Sequence, residues 1–231
     1  MKRIFQISVL VLLISACSGS EPNVIVNGQI RGLKKGTLYL EQQRDTSWVV
    51  IDSMLINGQP DFLLQASLDE PEVLNLRLDV ANTDSQRLRL FAAPGIMTVK
   101  TSLKRFFYDA KLSGSSQQEL MNQYNEMMDQ FSNRNLELIR QQLEAGVDSI
   151  KSDSIKGELD KLMKRKYLYA INFAMTNKNT RVAPYIALSE IFDTNVKYLD
   201  TIYKALPDSI AQSKYGTALE NYIQEVKTKT E

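Results

Sequence analysis

The spacing of apolar residues changes near Gly114, and this change constrains the fold more than any other feature of the sequence. Before Gly114 apolar residues alternate with polar ones, as in Leu74, Asn75 and Leu76. Such alternation is typical of a strand with one buried face. After Gly114 apolar residues recur every three or four positions, which is typical of amphipathic helices. The sequence therefore predicts an α+β fold, in which an antiparallel β-sandwich or curled sheet is followed by a helical region.

The turn residues agree with this division. Gly32, Gly36, Asn57-Gly58 and Pro94-Gly95 separate the alternating segments, as expected between antiparallel strands. Ser116 lies three residues before Glu119, which predicts a capping box at the start of the first helix. The predicted strands cover residues 24–30, 37–42, 48–56, 61–68, 74–80, 87–90 and 96–102. Three helices are predicted around Leu120–Leu138, Ile155–Phe173 and Tyr215–Val226.

Residues 1–16 have the organisation of a secretory signal peptide. Lys2 and Arg3 precede an apolar stretch at 4–14, and the small residues Ser15 and Ala16 follow it. The apolar stretch is too short to cross a membrane, which requires about 20 residues. A buried amphipathic helix is the alternative, but the stretch has no polar face. We therefore expect a cleaved leader.

Cys17 is the only cysteine, and it could be a redox thiol, a core residue or an attachment point. Ile14, Ser15, Ala16 and Cys17 resemble the lipobox of bacterial lipoproteins. The resemblance implies cleavage between Ala16 and Cys17, and acyl chains such as palmitate on Cys17 that bind membrane lipid. In the sorting rule of these lipoproteins, Ser18 in place of aspartate implies the outer membrane. The single acid at 18–22 implies a periplasmic rather than a cell-surface location.

The composition excludes several classes of function. The chain has 28 Lys and Arg against 27 Asp and Glu, so nothing indicates binding to nucleic acid. It has no histidine, which excludes Ser-His-Asp catalysis and histidine-ligated metal sites. With Cys17 acylated, no thiol remains for disulfide exchange. We expect no cofactor, no metal and no catalytic residue.

Several charged or aromatic groups are weak candidates for a site. Asp69, Glu70 and Glu72 could form an acid/base pair, although a turn between strands favours simple exposure. Trp48 is predicted to be a core residue rather than a sugar-stacking platform. The repeat at 148–156 suggests a solvated connection between helices rather than a calcium loop.

Two basic segments remain. Residues 104–108, Lys-Arg-Phe-Phe-Tyr, could bind lipid headgroups or single-stranded nucleic acid, but a sheet edge explains the same pattern. The run at 161–166, with Lys161, Lys164, Arg165 and Lys166, predicts a solvated helix face.

Four longer segments resemble one family. They are VNGQIRGLKKGTLYLE at 26–41, the Asn-Gly turn and PDFLL at 57–64, AAPGIMTVKT at 92–101 and KLSGSSQQELMNQY at 111–124. They are similar to the domain of unknown function 4369, which usually precedes a thioredoxin-like (AhpC/TSA) domain in bacterial lipoproteins. In that family RVAPYIALSEIF-like and SKYGTALENYIQEV-like segments precede the thioredoxin-like domain. Because the printed sequence ends at Glu231, we expect no Cys-x-x-Cys site here.

These observations predict the organisation and role of the chain. We expect a signal peptide at 1–16, a lipidated linker at 17–23, an antiparallel β domain at 24–113 and a helical region at 114–231 packed on it. The expected function is a non-catalytic envelope lipoprotein that binds an unknown protein or small molecule, with assistance to a separate thioredoxin-like protein as one possible role. The alternative is a carboxylate-dependent hydrolase that acts on envelope glycans.

Overall fold

Two four-stranded sheets precede six helices in the computed structural model, which describes residues 21–81, 83–146 and 149–230. The strands are β1 (Val24–Arg31), β2 (Lys35–Arg44), β3 (Ser47–Asn57), β4 (Asp61–Ala66), β5 (Glu72–Asp79), β6 (Gln86–Ala92), β7 (Gly95–Ser102) and β8 (Lys111–Ser113). The helices are α1 (Ser116–Ala145), α2 (Ser149–Thr176), α3 (Val182–Glu190), α4 (Val196–Ala205), α5 (Asp208–Ala211) and α6 (Lys214–Thr230). The predicted α+β fold is confirmed.

The sheets have the strand orders β4-β1-β7-β8 and β3-β2-β5-β6. All pairs are antiparallel except β1 with β7, which run parallel from Val24 beside Gly95 to Arg31 beside Ser102. Apolar residues of both sheets meet in one core, which includes Val26, Leu40 and Leu76. The alternation predicted for the strands therefore serves a sandwich whose two sheets bury their inner faces against each other.

One side of the sandwich is joined and the other is open. The β3–β4 connection joins the sheets at the first side, where the Gln65 N–H donates a 2.7 Å hydrogen bond to Asp52 Oδ2. At the second side the edge strands are β6 and β8, and α1 lies against both of them. The sheet is therefore curled but unclosed.

The change from strand to helix occurs at Gly114. Its φ is +117°, and a Cβ atom there would lie 2.1 Å from the Ile96 carbonyl oxygen. Only glycine fits this conformation and this approach. Ser115, rather than the predicted Ser116, is the N-cap of α1, because its hydroxyl accepts a hydrogen bond from the Gln118 N–H. The capping-box prediction was thus displaced by one residue.

A second core lies between the helices and the outer face of the β5–β6 pair. Val73 and Phe91 project from this face into a cluster of helical residues. The Phe91 ring makes edge contacts with Tyr185 and Tyr215, with centroids 5.5 and 5.9 Å apart. The helical layer therefore covers the outer face of β5 at this point, so both faces of the strand are buried here.

The repeat at 148–156 was also predicted incorrectly in part. Residues from Ser149 onward belong to the first turns of α2, so the connection between the helices is shorter than the repeat. Gly146, with φ +56°, ends α1. The helical spacing of the segment, with the buried Ile155, outweighs its polar composition.

We expect Phe91→Ala to destabilise the protein by about 3–5 kcal/mol, because it removes a buried ring and leaves a cavity between the sheet and the helices. The matched control is Phe107→Ala, which should change the free energy of unfolding by less than about 0.5 kcal/mol, since Phe107 is 62% exposed. Urea denaturation of both variants measures the difference. Equal effects would contradict the role assigned to Phe91.

Candidate functional site

Ala16 and Cys17, the residues predicted for cleavage and lipidation, lie outside the described residues. The lipid anchor therefore stays a prediction from the sequence. Within the described residues, no helix is long and apolar enough to span a membrane. Over the same range no three His, Cys, Asp or Glu side chains are grouped as metal ligands.

The edge of β6 is bound by the start of α1. The Phe91 N–H donates a 2.6 Å hydrogen bond to Gln118 Oε1, and the Ser115 hydroxyl donates a 2.9 Å bond to the Phe91 carbonyl. Gln118 is only 1% exposed. Both main-chain groups that Phe91 directs away from β5 are thus satisfied by side chains of the helical layer.

The same helix also reaches the edge of β8. Gln118 Nε2 donates a 2.8 Å hydrogen bond to Asn122 Oδ1, and Asn122 Nδ2 donates a 2.8 Å bond to the Leu112 carbonyl. Two side-chain amides therefore connect Phe91 of one sheet to Leu112 of the other. Their spacing of four residues places both amides on one face of α1.

Beyond this amide bridge a cleft of about 940 Å³ opens between β6, β8 and the helices. We call it the β6–β8 cleft. Apolar residues of the two edge strands line it, namely Leu88, Leu90, Ala110 and Leu112. Charged residues also line it, namely Arg87, Arg89, Lys111, Glu126, Asp129, Lys166 and Glu190. The volume lies in the range of small-molecule and cofactor sites.

Glu190, at the end of α3, is the most perturbed acid in the cleft. Burial raises the pKa of its carboxyl, and the nearby charges of Lys166 and Arg89 act in the opposite direction. Burial also raises the pKa of the neighbouring Tyr185, whereas Arg89 acts to lower it. Arg89, Lys166 and Glu190 thus form one electrostatic group that joins β6, α2 and α3.

A second polar group lies on the outer face of β2 and β5. Arg77 Nε donates a 2.5 Å hydrogen bond to Glu41 Oε1, and its guanidinium lies 4.0 Å from the centre of the Tyr39 ring. Arg87 Nε lies 3.8 Å from Glu41 Oε2. The neighbouring Asn75 Oδ1 is buried and has no hydrogen-bond partner among the described residues. This group borders the β6–β8 cleft through Arg87 and Asn75.

Glu70 and Glu72 bind the helical layer. Glu70 accepts hydrogen bonds from Arg181 Nε at 2.6 Å and from the Lys214 N–H at 2.7 Å. Glu72, which is 4% exposed, accepts from Lys214 Nζ and Gln42 Nε2. Simple exposure, the interpretation that the sequence favoured, therefore does not describe these two carboxylates.

Trp48 is 38% exposed on the edge strand β3 and lines the β6–β8 cleft, so its predicted core position was wrong. The segment 104–108 is divided between environments. Phe106 is in the sandwich core, whereas Phe107 and Tyr108 are exposed and also line the cleft.

The basic run 161–166 is a largely solvated face of α2, as predicted. Lys161, Lys164 and Arg165 are exposed, whereas Lys166 is half-buried and lines the cleft. Sequence reasoning did not select Arg89, Gln118, Asn122 or Glu190 as site residues. Only Gln118 and Asn122 could have been found from the sequence. They are amide side chains four residues apart, near the start of the first helix after the last strand.

We expect stability to depend on the ionisation of Glu190. Because its folded-state pKa lies above its ordinary value, the folded protein holds the proton over a wider pH range, and the free energy of unfolding falls as pH rises through that window. Glu190→Gln removes this titration. The variant should match the wild type below about pH 4 and be more stable at pH 7, as measured by urea denaturation at both pH values.

The control for this measurement is Glu144→Gln, because Glu144 is an exposed residue of α1 paired with Arg140. It should change the stability at pH 7 by no more than about 0.5 kcal/mol, because exposed ion pairs contribute little. A Glu190→Gln protein less stable than the wild type at pH 7 would contradict the prediction. That result would mean that attraction to Arg89 and Lys166 outweighs burial.

Comparison with known proteins identifies one family. Residues 24–121 match the family model described as "Domain of unknown function (DUF4369)". Comparison with curated proteins and with solved structures gave no match. The match extends from the first strand to the first turns of α1. It includes Ser115 and Gln118, whose side chains bond to the main chain of Phe91. The predicted resemblance to this domain is therefore confirmed over residues 24–121.

Proposed function

We propose that the chain is a non-catalytic binding module that is anchored to the envelope by an acylated Cys17 and that contacts its partner through the β6–β8 cleft. The observation that carries this proposal is the cleft itself. Charged side chains from strands and helices line it together with apolar residues of the edge strands. A concave site with convergent polar groups over apolar residues is typical of ligand binding.

The anchor is proposed from the sequence at 14–17. Acyl chains contribute about 0.8 kcal/mol per buried CH₂ group, and two or more chains hold a protein stably on a membrane. Residues 17–23 span at most about 25 Å when extended. An acylated Cys17 would therefore keep β1 and its sheet close to the membrane surface, which we propose to be the periplasmic side of the outer membrane.

The absence of histidine and of any cysteine other than Cys17 supports a binding role rather than catalysis. Thiol–disulfide exchange requires a thiolate, and neutral acid/base chemistry most often uses histidine. The family resemblance supports one candidate partner, a separate thioredoxin-like protein that would supply the redox chemistry absent from this chain. An unknown small molecule is the other candidate.

A second function is favoured by Glu190. Burial raises the pKa of this carboxyl, and a raised pKa is typical of a carboxyl that acts as a general acid. Glu126 and Asp129 of α1 also line the cleft and could supply the second carboxylate of a glycan hydrolase. Under this alternative, Glu190→Gln would abolish the hydrolysis of envelope glycans by the purified protein. If the chain is a binding module, the wild-type protein should not hydrolyse these glycans.

We expect Cys17→Ser to leave the protein unacylated and its leader uncleaved, because the hydroxyl cannot form the thioether that precedes cleavage in lipoproteins. Membrane fractionation and intact mass of the wild type and the variant test this. The wild type should fractionate with the outer membrane and carry the mass of the acyl chains. Recovery of the same processed, acylated species from Cys17→Ser would refute the anchor.

The proposed binding of a partner in the cleft is tested by crosslinking in cells that produce the full chain. A photo-crosslinking amino acid replaces Asn125, which lines the cleft, and in a matched control it replaces the exposed Lys229 at the end of α6. A discrete adduct from position 125 and none from position 229 is the expected result. Equal labelling at both positions would contradict a partner in the cleft.

A further inference from the structure

The edge of β6 continues past Phe91 into the β6–β8 cleft. In an antiparallel pair, facing residues alternate between those that exchange main-chain hydrogen bonds and those that direct these groups away from each other. Phe91, opposite Val73, belongs to the second kind, because its N–H and carbonyl bond to α1. Arg89 and Arg87 lie two and four residues earlier, so they also direct their N–H and carbonyl groups away from β5.

These main-chain groups lack the partners that Phe91 has. Ser115 and Gln118 bond to the main chain of Phe91. Among the described residues, no side chain makes the corresponding hydrogen bonds to the main chain of Arg87 or Arg89. Both arginines line the cleft. A row of unpaired N–H and carbonyl groups on a strand edge is a template for pairing with another extended chain.

The amide bridge shows which chemistry completes this edge. Gln118 accepts a hydrogen bond from the Phe91 N–H and donates one to Asn122. Asn122 in turn donates to the Leu112 carbonyl of β8. Two amides in series thus occupy the place that peptide groups of an intervening strand would take. A peptide strand carries the same donors and acceptors, repeated about every 3.4 Å per residue.

We propose that the β6–β8 cleft binds an extended polypeptide segment that adds to the edge of β6 as a strand. This inference rests on the proposed binding function, which it deepens by naming the class of partner. The bound strand pairs with the main chain of Arg87 and Arg89 and continues the line of the amide bridge. In known cases of strand addition, main-chain hydrogen bonds give affinity and side-chain pockets give specificity.

The lining of the cleft predicts the pattern of the bound segment. Successive side chains of a strand point to opposite sides. One side of the added strand continues the inner face of β6, where Leu88, Leu90 and Leu112 pack in the sandwich core, and the other continues the outer face, where Arg89 lies near Lys166 and Glu190. The segment therefore alternates apolar with polar or charged residues.

The experiment uses decapeptides selected from a random phage-displayed library on the immobilised, detergent-solubilised full protein. Affinities are then measured by fluorescence anisotropy with the wild type, Arg89→Ala and Arg89→Pro. Both variants remove the side chain, but only proline also removes the edge N–H, and an edge strand tolerates proline at an outward N–H. We expect Arg89→Pro to bind at least about tenfold more weakly than Arg89→Ala.

A second measurement leaves the protein unchanged, in case Arg89→Pro fails to fold. N-methylation is introduced at single positions along the selected peptide. Strand addition predicts that methylation weakens binding at every second position, whose N–H faces β6, and has little effect at the positions between. In the wild type, hydrogen exchange of the Arg87 and Arg89 amides should slow when peptide binds.

The outcomes separate this inference from the proposed function. Failure to select any peptide, an affinity equal in Arg89→Pro and Arg89→Ala, or methylation effects without a period of two would each overturn strand addition. If a selected peptide protects only Lys166 and Glu190 from exchange, the cleft remains a binding site and the pairing with β6 is wrong. If the protein instead forms a concentration-dependent dimer in which the Arg87 and Arg89 amides are protected without peptide, the strand that pairs with β6 belongs to a second copy of this chain. That result would overturn the proposed peptide partner.

Discussion

The hydrogen bond from the Phe91 N–H to Gln118 joins the two halves of the molecule at a point where a sheet would otherwise end unpaired. A buried donor without an acceptor costs about 1–3 kcal/mol, so an edge strand can be covered only by a layer that supplies acceptors. The helical layer supplies a second acceptor at Val73, whose N–H donates a 2.8 Å bond to the Tyr215 hydroxyl. These two bonds connect α1 and α6 to the sheet.

Packing and charge reinforce the same contact. The Phe91 ring lies against Tyr185 and Tyr215, which themselves make an edge contact 5.1 Å apart. Near this aromatic cluster, Glu70 and Glu72 pair with Arg181 and Lys214 of the helical layer. The ion pairs are partly buried, so the cost of removing the charges from water offsets much of their attraction. The β6–β8 cleft is the part of the same edge that α1 leaves uncovered.

The sequence predicted those features that depend on local pattern. The change of apolar period located the boundary at Gly114, and the positive φ and close approach of that glycine explain why. The α+β class and the predicted strands followed from alternation in segments such as Leu74–Leu78. Helical spacing likewise predicted the helix around Leu120–Leu138, which lies within α1.

Features that depend on distant pairing were not predicted. The parallel pairing of β1 with β7 brings together segments about 70 residues apart, and no local signal specifies it. Gln118 was missed because a polar helical residue is ordinarily solvent-exposed. Its burial depends on the Phe91 N–H, which has no partner within the sheet and bonds to Gln118 instead. Trp48 was placed in the core because it lies at a strand position, but β3 is an edge strand and the side chain is 38% exposed.

Native-state hydrogen exchange, followed residue by residue by NMR, tests most directly the claim that the helical layer satisfies the open edge of β6. The amides of Phe91 and Val73 should exchange only through global unfolding, although neither is paired within its sheet. The amides of Arg87 and Arg89, on the same edge and without partners, should exchange far faster. Equal and rapid exchange at Phe91 and Arg89 would contradict the account, because it would mean that Gln118 does not hold the edge closed.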